Sequence, residues 1–160
     1  MIRLADDQDI PFIQSILNAP ENLSKREAYS DDQIRASLRS PENTLWIWCE
    51  DAAPKGFCWL CQTTQGTKIE EFGVTSPGNG TGTRFFDAIL LQIQSAHPST
   101  PIWLNVAADN DAAIRFYQRF GFVADQVTKA VWNRRVGPVA DAVKMVRPSD
   151  RKRPGNTDAA

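Results

Sequence analysis

The sequence predicts an α/β domain of about seven strands and about four helices. Two observations carry this. Between residues 45 and 74 three strand-like runs follow one another with turns too short for a crossover, so they are expected as antiparallel neighbours. After residue 80 two amphipathic helical patterns alternate with apolar strand runs. Because the alternation is not sustained along the whole chain, a strictly doubly wound sheet is not expected.

Each element has a local reason. Ile2 to Ala5 reads as a short strand. Ile10, Ile13, Ile16 and Leu17 have helical spacing behind Asp9, the expected N-cap. Residues 18 to 29 are polar and irregular. Ser30-Asp31-Asp32-Gln33 has the form of a capping box, opening a helix with Ile34, Ala36 and Leu38 that stops before Pro41. Leu45 to Cys49 is apolar on both faces, as a strand covered on both sides requires. Strands Phe57–Thr63 and Lys68–Val74 follow. Phe86, Ile89, Leu90 and Ile93 mark a helix over about 82–96, ended by His97-Pro98. Ile102–Val106 is a strand. Ala113, Phe116, Tyr117 and Phe120 repeat the helical spacing, with Asp109 or Asn110 as cap and Gly121 at C′. Phe122 to about Val131 and Ala142–Val146 are the last strands. The domain is expected to cover residues 1–147. Residues 148–160, which keep no apolar period, are expected as a disordered tail.

Composition narrows the function classes. The chain has 160 residues, enough for one domain with its own core. With 18 Lys plus Arg against 19 Asp plus Glu, the balance argues against binding nucleic acid by phosphate neutralisation. No apolar run reaches the ~20 residues of a membrane helix, and no signal peptide is readable, so a cytoplasmic protein is expected. Cys58 and Cys61 are three apart on a predicted strand and point to opposite faces. No metal site is expected there, and His97, the only histidine, has no readable nucleophile beside it.

Three of the nine glycines, Gly78, Gly80 and Gly82, fall within five residues, between a strand and a helix start. Free N–H groups at a helix start and glycine backbone make an anion site, although a plain turn fits the cluster equally well. The spacing matches neither G-x-x-x-x-G-K-[ST] nor G-x-G-x-x-G. Leu104, Val106, Asn110, Ala113, Phe116, Tyr117, Gly121 and Phe122 fit the pattern L-x-V-x-x-x-N-x-x-A-x-x-F-Y-x-x-x-G-F. This segment resembles the closing motif of the GNAT superfamily of acetyl-CoA-dependent N-acyltransferases. The glycine loop is similar to the same family's [RQ]-x-x-G-x-[GA] motif, with Pro77 where the family has Arg or Gln.

The resemblance implies a GNAT-like fold with a mixed central sheet, and acetyl-CoA as co-substrate. It implies that backbone near Phe72 and Val74 pairs with the pantetheine arm, and that the loop of Gly78, Asn79, Gly80, Thr81, Gly82 and Thr83 holds the pyrophosphate. Arg84 is either a phosphate contact or a solvated residue, and Asn110 contacts the cofactor arm, caps its helix, or both. Tyr117 matches the family's general acid; without the resemblance it reads as a packed tyrosine. Glu70 is the candidate general base, acting through water. Neighbours on a strand, Glu70 and Glu71 are expected to face opposite sides. The expected activity is transfer of an acetyl group to a primary amine of a small molecule, amino acid derivative or peptide, by a monomer or homodimer. The alternative is a non-catalytic acyl-CoA-binding domain of the same fold. The expected acceptor region, residues 18 to 45, lies in a stretch (18–51) with seven acidic and four basic residues, a field that suits a cation.

Overall fold

A computed structural model describes residues 1–149. The part of the expected tail beyond them lies outside the described residues. Among the described residues the elements are β1 (Ile2–Leu4), α1 (Ile10–Leu17), α2 (Asp31–Arg39), β2 (Asn43–Glu50), β3 (Ala53–Thr63), β4 (Gly66–Val74), α3 (Thr81–Ala96), β5 (Ile102–Ala107), α4 (Asp111–Arg119), β6 (Val123–Trp132) and β7 (Ala140–Arg147). The strands form one seven-stranded mixed sheet in the order β1-β2-β3-β4-β5-β7-β6. All neighbours are antiparallel except β4 and β5. No helix among the described residues is long and apolar enough to cross a membrane.

Two apolar layers sandwich the sheet. On one face Phe85, Phe86, Ile89, Leu90 and Ile93 of α3 pack on Cys58, Leu60, Ile69, Phe72 and Leu104. On the other, Ile10, Ile13, Ile16 and Leu17 of α1 and Ile34 of α2 pack on Leu45, Ile47 and Phe57. Strand β2 therefore serves both layers, with Leu45, Ile47 and Cys49 toward α1 and Trp46 and Trp48 toward α3. The capping box at Ser30 and Gln33 is formed. Helix α4 is capped by Asn110 Oδ1, which accepts from Ala113 N at 3.3 Å, and ends before Gly121 at φ 87°. The expected cap at Asp9 is corrected: its side chain makes no cap bond to α1. Instead Asp9 accepts from Asp6 N (2.9 Å) and bidentately from Arg3 (2.8 Å each), because a one-turn 3₁₀ segment, Asp7–Asp9, precedes the helix.

Strand β4 positions the site through an irregularity. Trp59 pairs with Glu71 and Leu60 with Ile69, so Glu70 is an extra residue in β4. Such a bulge restarts the alternation, and both Ile69 and Phe72 reach the α3 layer. Beyond the bulge, Gly73 lies under α1, where an added Cβ would sit 2.6 Å from Ile16 Cγ2 and 3.2 Å from Arg26 Nη2. Gly73→Ala is expected to destabilise the fold by ~1–3 kcal/mol through overpacking, read by chemical denaturation.

Candidate active site

The parallel pair β4–β5 is paired only at Thr67–Ile102, Lys68–Trp103 and Ile69–Leu104. Past these, β4 runs on to Val74 against β3, and β5 to Ala107 against β7, but the two no longer pair with each other. Along residues 70–74 and 105–107 the two strands no longer satisfy each other's backbone groups; Arg26 bonds the Phe72 carbonyl, and the other facing groups are left for a ligand. Ala113 and Tyr117 of α4 border this gap.

A cavity of about 460 Å³ runs from Phe72–Val74 of β4 to the start of α3, a volume usual for a small-molecule site. Its walls include Phe72 and Val74 of β4, the loop residues Pro77, Gly78 and Gly80, Gly82 and Thr83 of α3, and Asn110 and Tyr117. Gly78 and Gly80 have φ of 95° and 84°, conformations that glycine adopts without strain. Asn79 Oδ1 accepts from Thr81 N at 3.2 Å. The amides of Gly82 and Thr83 have no acceptor among the described residues, so the helix start presents donors to an anion. Lys25, Arg26 and Arg119 border the cavity against one acidic residue, Glu21. Free amides, an open strand edge and an excess of cations fit an elongated ligand carrying phosphates.

Three sequence-predicted contacts lie off this cavity. Thr81 is buried, and its hydroxyl meets Glu50 Oε1 at 3.2 Å. Arg84 is taken by the same carboxylate at 2.8 Å. Asn79 faces its own helix start rather than this cavity. Asn110 does border the cavity while capping α4.

Tyr117 borders both this cavity and a smaller one of about 80 Å³ inside the gap, shared with Glu70, Glu71 and Arg26. Its ring packs among Phe86, Phe116 and Phe122 at centroid distances of 5.4–5.7 Å. Its hydroxyl has no hydrogen-bond partner among the described residues. Burial raises its pKa, Arg26 opposes that shift, and Cys58 and Glu71 add to it.

A third cavity, about 220 Å³, lies on the α1–α2 side and is bordered by Glu27, Tyr29, Glu70, Glu71 and Trp132. The bulge corrects one expectation here: Glu70 and Glu71 do not face apart but border the same two cavities. Glu70 pairs with Lys68 at 3.1 Å, both side chains partly exposed. Glu71 is more enclosed: Arg26 Nη1 donates to it at 2.5 Å, and the Tyr29 hydroxyl lies 3.4 Å away. Burial raises the Glu71 pKa, and the Arg26 charge and hydrogen bond work against the rise. Arg26 also donates from Nη2 to the Phe72 carbonyl at 2.6 Å. Arg26, Tyr29 and Trp132 also border these cavities, and nothing in the sequence marked them.

A protein-family model described as "Acetyltransferase (GNAT) family" matches residues 10–122. No curated protein matches the chain. Among solved structures, the ribosomal-protein-S18-alanine N-acetyltransferase from Escherichia coli superposes with a TM-score of 0.80 at 16% identity, over 96% of each chain. Ard1 from Thermoplasma volcanium gives 0.77 at 23% identity, over 93% of this chain and 97% of its own. Spermidine N-acetyltransferase from Vibrio cholerae, in complex with CoA and spermine, gives 0.76 at 18%, over 91% of this chain and 93% of its own. At these identities the likeness is one of fold.

Proposed function

Because the chain belongs to the GNAT acetyltransferase family, we propose that it transfers an acetyl group from acetyl-CoA to a primary amine that arrives as a cation. The observation that carries this reading is Tyr117 at the junction of two cavities, the phosphate-suited one reaching α3 and the small one in the gap that it shares with Glu70 and Glu71. In this reading acetyl-CoA lies along the open edge of Phe72 to Val74. Amides of the Gly78–Thr83 stretch, chiefly those of Gly82 and Thr83, hold its pyrophosphate. Its thioester supplies the activated acyl group.

The chemistry asks three things of the protein: to take a proton from the incoming ammonium, to stabilise the oxyanion, and to protonate the leaving thiolate. Tyr117 suits the last. Burial keeps its phenol protonated, and its hydroxyl is not committed to another group. The oxyanion donor we assign is a backbone N–H near Val74. Glu70 suits the first, acting through water. It is partly exposed, borders the acceptor-side cavity, and is held only by the half-open pair with Lys68, whereas Glu71 is clamped by Arg26. Glu27, Glu70 and Glu71 face the acceptor and favour a cation there.

Glu70→Gln keeps the shape and removes the base. With acetyl-CoA and a primary amine it is expected to lower kcat/KM on the order of 10²-fold at neutral pH. Coenzyme A binding is expected to be unchanged, and thiol release with a parallel binding isotherm reads both. An unaltered kcat/KM would remove Glu70 from the mechanism.

A further inference from the structure

We propose that Arg134 is a positioning residue that sets the acceptor-side wall against the helix carrying Tyr117; this rests on the acetyl-transfer reading above. The segment between β6 and β7 lies on the segment between α1 and α2. Trp132 Nε1 donates to Lys25 O at 3.1 Å and Val136 N to Leu23 O at 3.0 Å. Arg135 donates to the Leu17 carbonyl and the Asn18 side chain. Arg134 does more, because its guanidinium joins three parts of the chain. Nη1 and Nη2 each donate to one oxygen of Asp109 at 2.9 Å. Nη1 also donates to Ser24 O at 3.3 Å, and Nε to Pro138 O at 2.8 Å.

The Arg134 side chain is only 9% exposed although its partner Asp109 is 59% exposed, so the guanidinium is held at the edge of solvent. Asp109 immediately precedes Asn110, the cap of α4. Ser24 is two residues from Arg26, which reaches Glu71, and three from Glu27, which borders the acceptor-side cavity. Trp132 borders that cavity from the other segment. One planar fork therefore fixes the distance from the acceptor walls to Tyr117. A lysine carries three donors on a single nitrogen and no planar fork, so it does not reproduce these four bonds from three nitrogens.

The acceptor must meet the thioester in a near-attack arrangement, and small displacements are costly there. Arg134→Gln and Arg134→Lys are both expected to lower acceptor kcat/KM about tenfold or more, mainly through KM. Coenzyme A affinity is expected to hold. Asp109→Asn, at a largely exposed carboxylate, is the milder variant if Arg134 variants fold poorly, and it is expected to give the same split. In the double variant the effects are expected to be less than additive, since both break one contact. Amide hydrogen exchange over residues 18–30, in each folded variant with coenzyme A present, reads the same tie without turnover. Faster exchange confined to that segment, with raised acceptor KM, supports the proposal. Unchanged exchange and KM in a folded variant overturn it, as does equal weakening of acceptor and coenzyme A binding. If the wild-type protein transfers acetyl to no amine, the transferase reading fails, while the exchange result still decides whether Arg134 holds the segment.

Discussion

Tyr117→Phe is expected to lower kcat by ~10²–10⁴-fold while leaving coenzyme A affinity and folding stability unchanged. The two halves of this expectation have separate causes. The ring is held by Phe86, Phe116 and Phe122, and phenylalanine keeps those contacts. The hydroxyl has no hydrogen-bond partner among the described residues, so its removal orphans nothing. What disappears is a proton donor at the thiolate. A general acid works while protonated, so activity is present below its pKa and lost above it. Burial raises the Tyr117 pKa above the ordinary tyrosine value of ~10. The pH profile of kcat is therefore expected to show no Tyr117-dependent fall between neutrality and that value. A variant with full turnover would return Tyr117 to the role of a packed aromatic.

Arg26→Ala is expected to have the largest effect on stability. It would leave the Glu71 carboxylate, 10% exposed, beside Glu70 without its cation, and the Phe72 carbonyl without its donor. Breaking one side of such a pair costs about 3–5 kcal/mol, a fall in Tm of roughly 6–20 °C for a domain of this size. The paired replacement Arg26→Met with Glu71→Met removes both charges and is expected to recover most of the loss, because the uncompensated carboxylate is then gone. Thermal unfolding of the single and double variants checks this. A single variant as stable as the wild type would show that the ion pair contributes little.

The parts of the fold legible in the sequence are those set by near neighbours. Ser30 and Gln33 announced a capping box, Gly121 a left-handed helix stop, and Gly78 and Gly80 a loop with positive φ. Helical spacing found the faces of α1, α3 and α4, although no α4 residue is fully buried. The misses have two physical causes. A bulge inserts one residue without changing local composition, so Glu70 and Glu71 read as ordinary alternating neighbours until the pairing with Trp59 and Leu60 is known. The walls of the candidate site come from contacts between residues distant in sequence. Arg26 meets Glu71 across 45 residues, and Arg134 meets Ser24 across 110. Nothing periodic in residues 18–29 marks them for that role. Arg84 shows the same limit: its place at a helix start left a phosphate contact and a solvated residue both open, and its pair with Glu50 of β2 is again a contact between distant residues.

In the proposed reaction an acyl-CoA in the β4–β5 gap gives its acetyl group to a cationic amine from the carboxylate-lined side. The direct measurement is the mass of primary amines, including an aliphatic diamine, after incubation with acetyl-CoA and either wild-type protein or Tyr117→Phe, with free thiol followed in parallel. One acetyl group gained per thiol released is expected with wild-type protein, and a large loss of both with the variant. Tight coenzyme A binding with no acetylated product from any amine would contradict it and leave a non-catalytic acyl-CoA-binding domain.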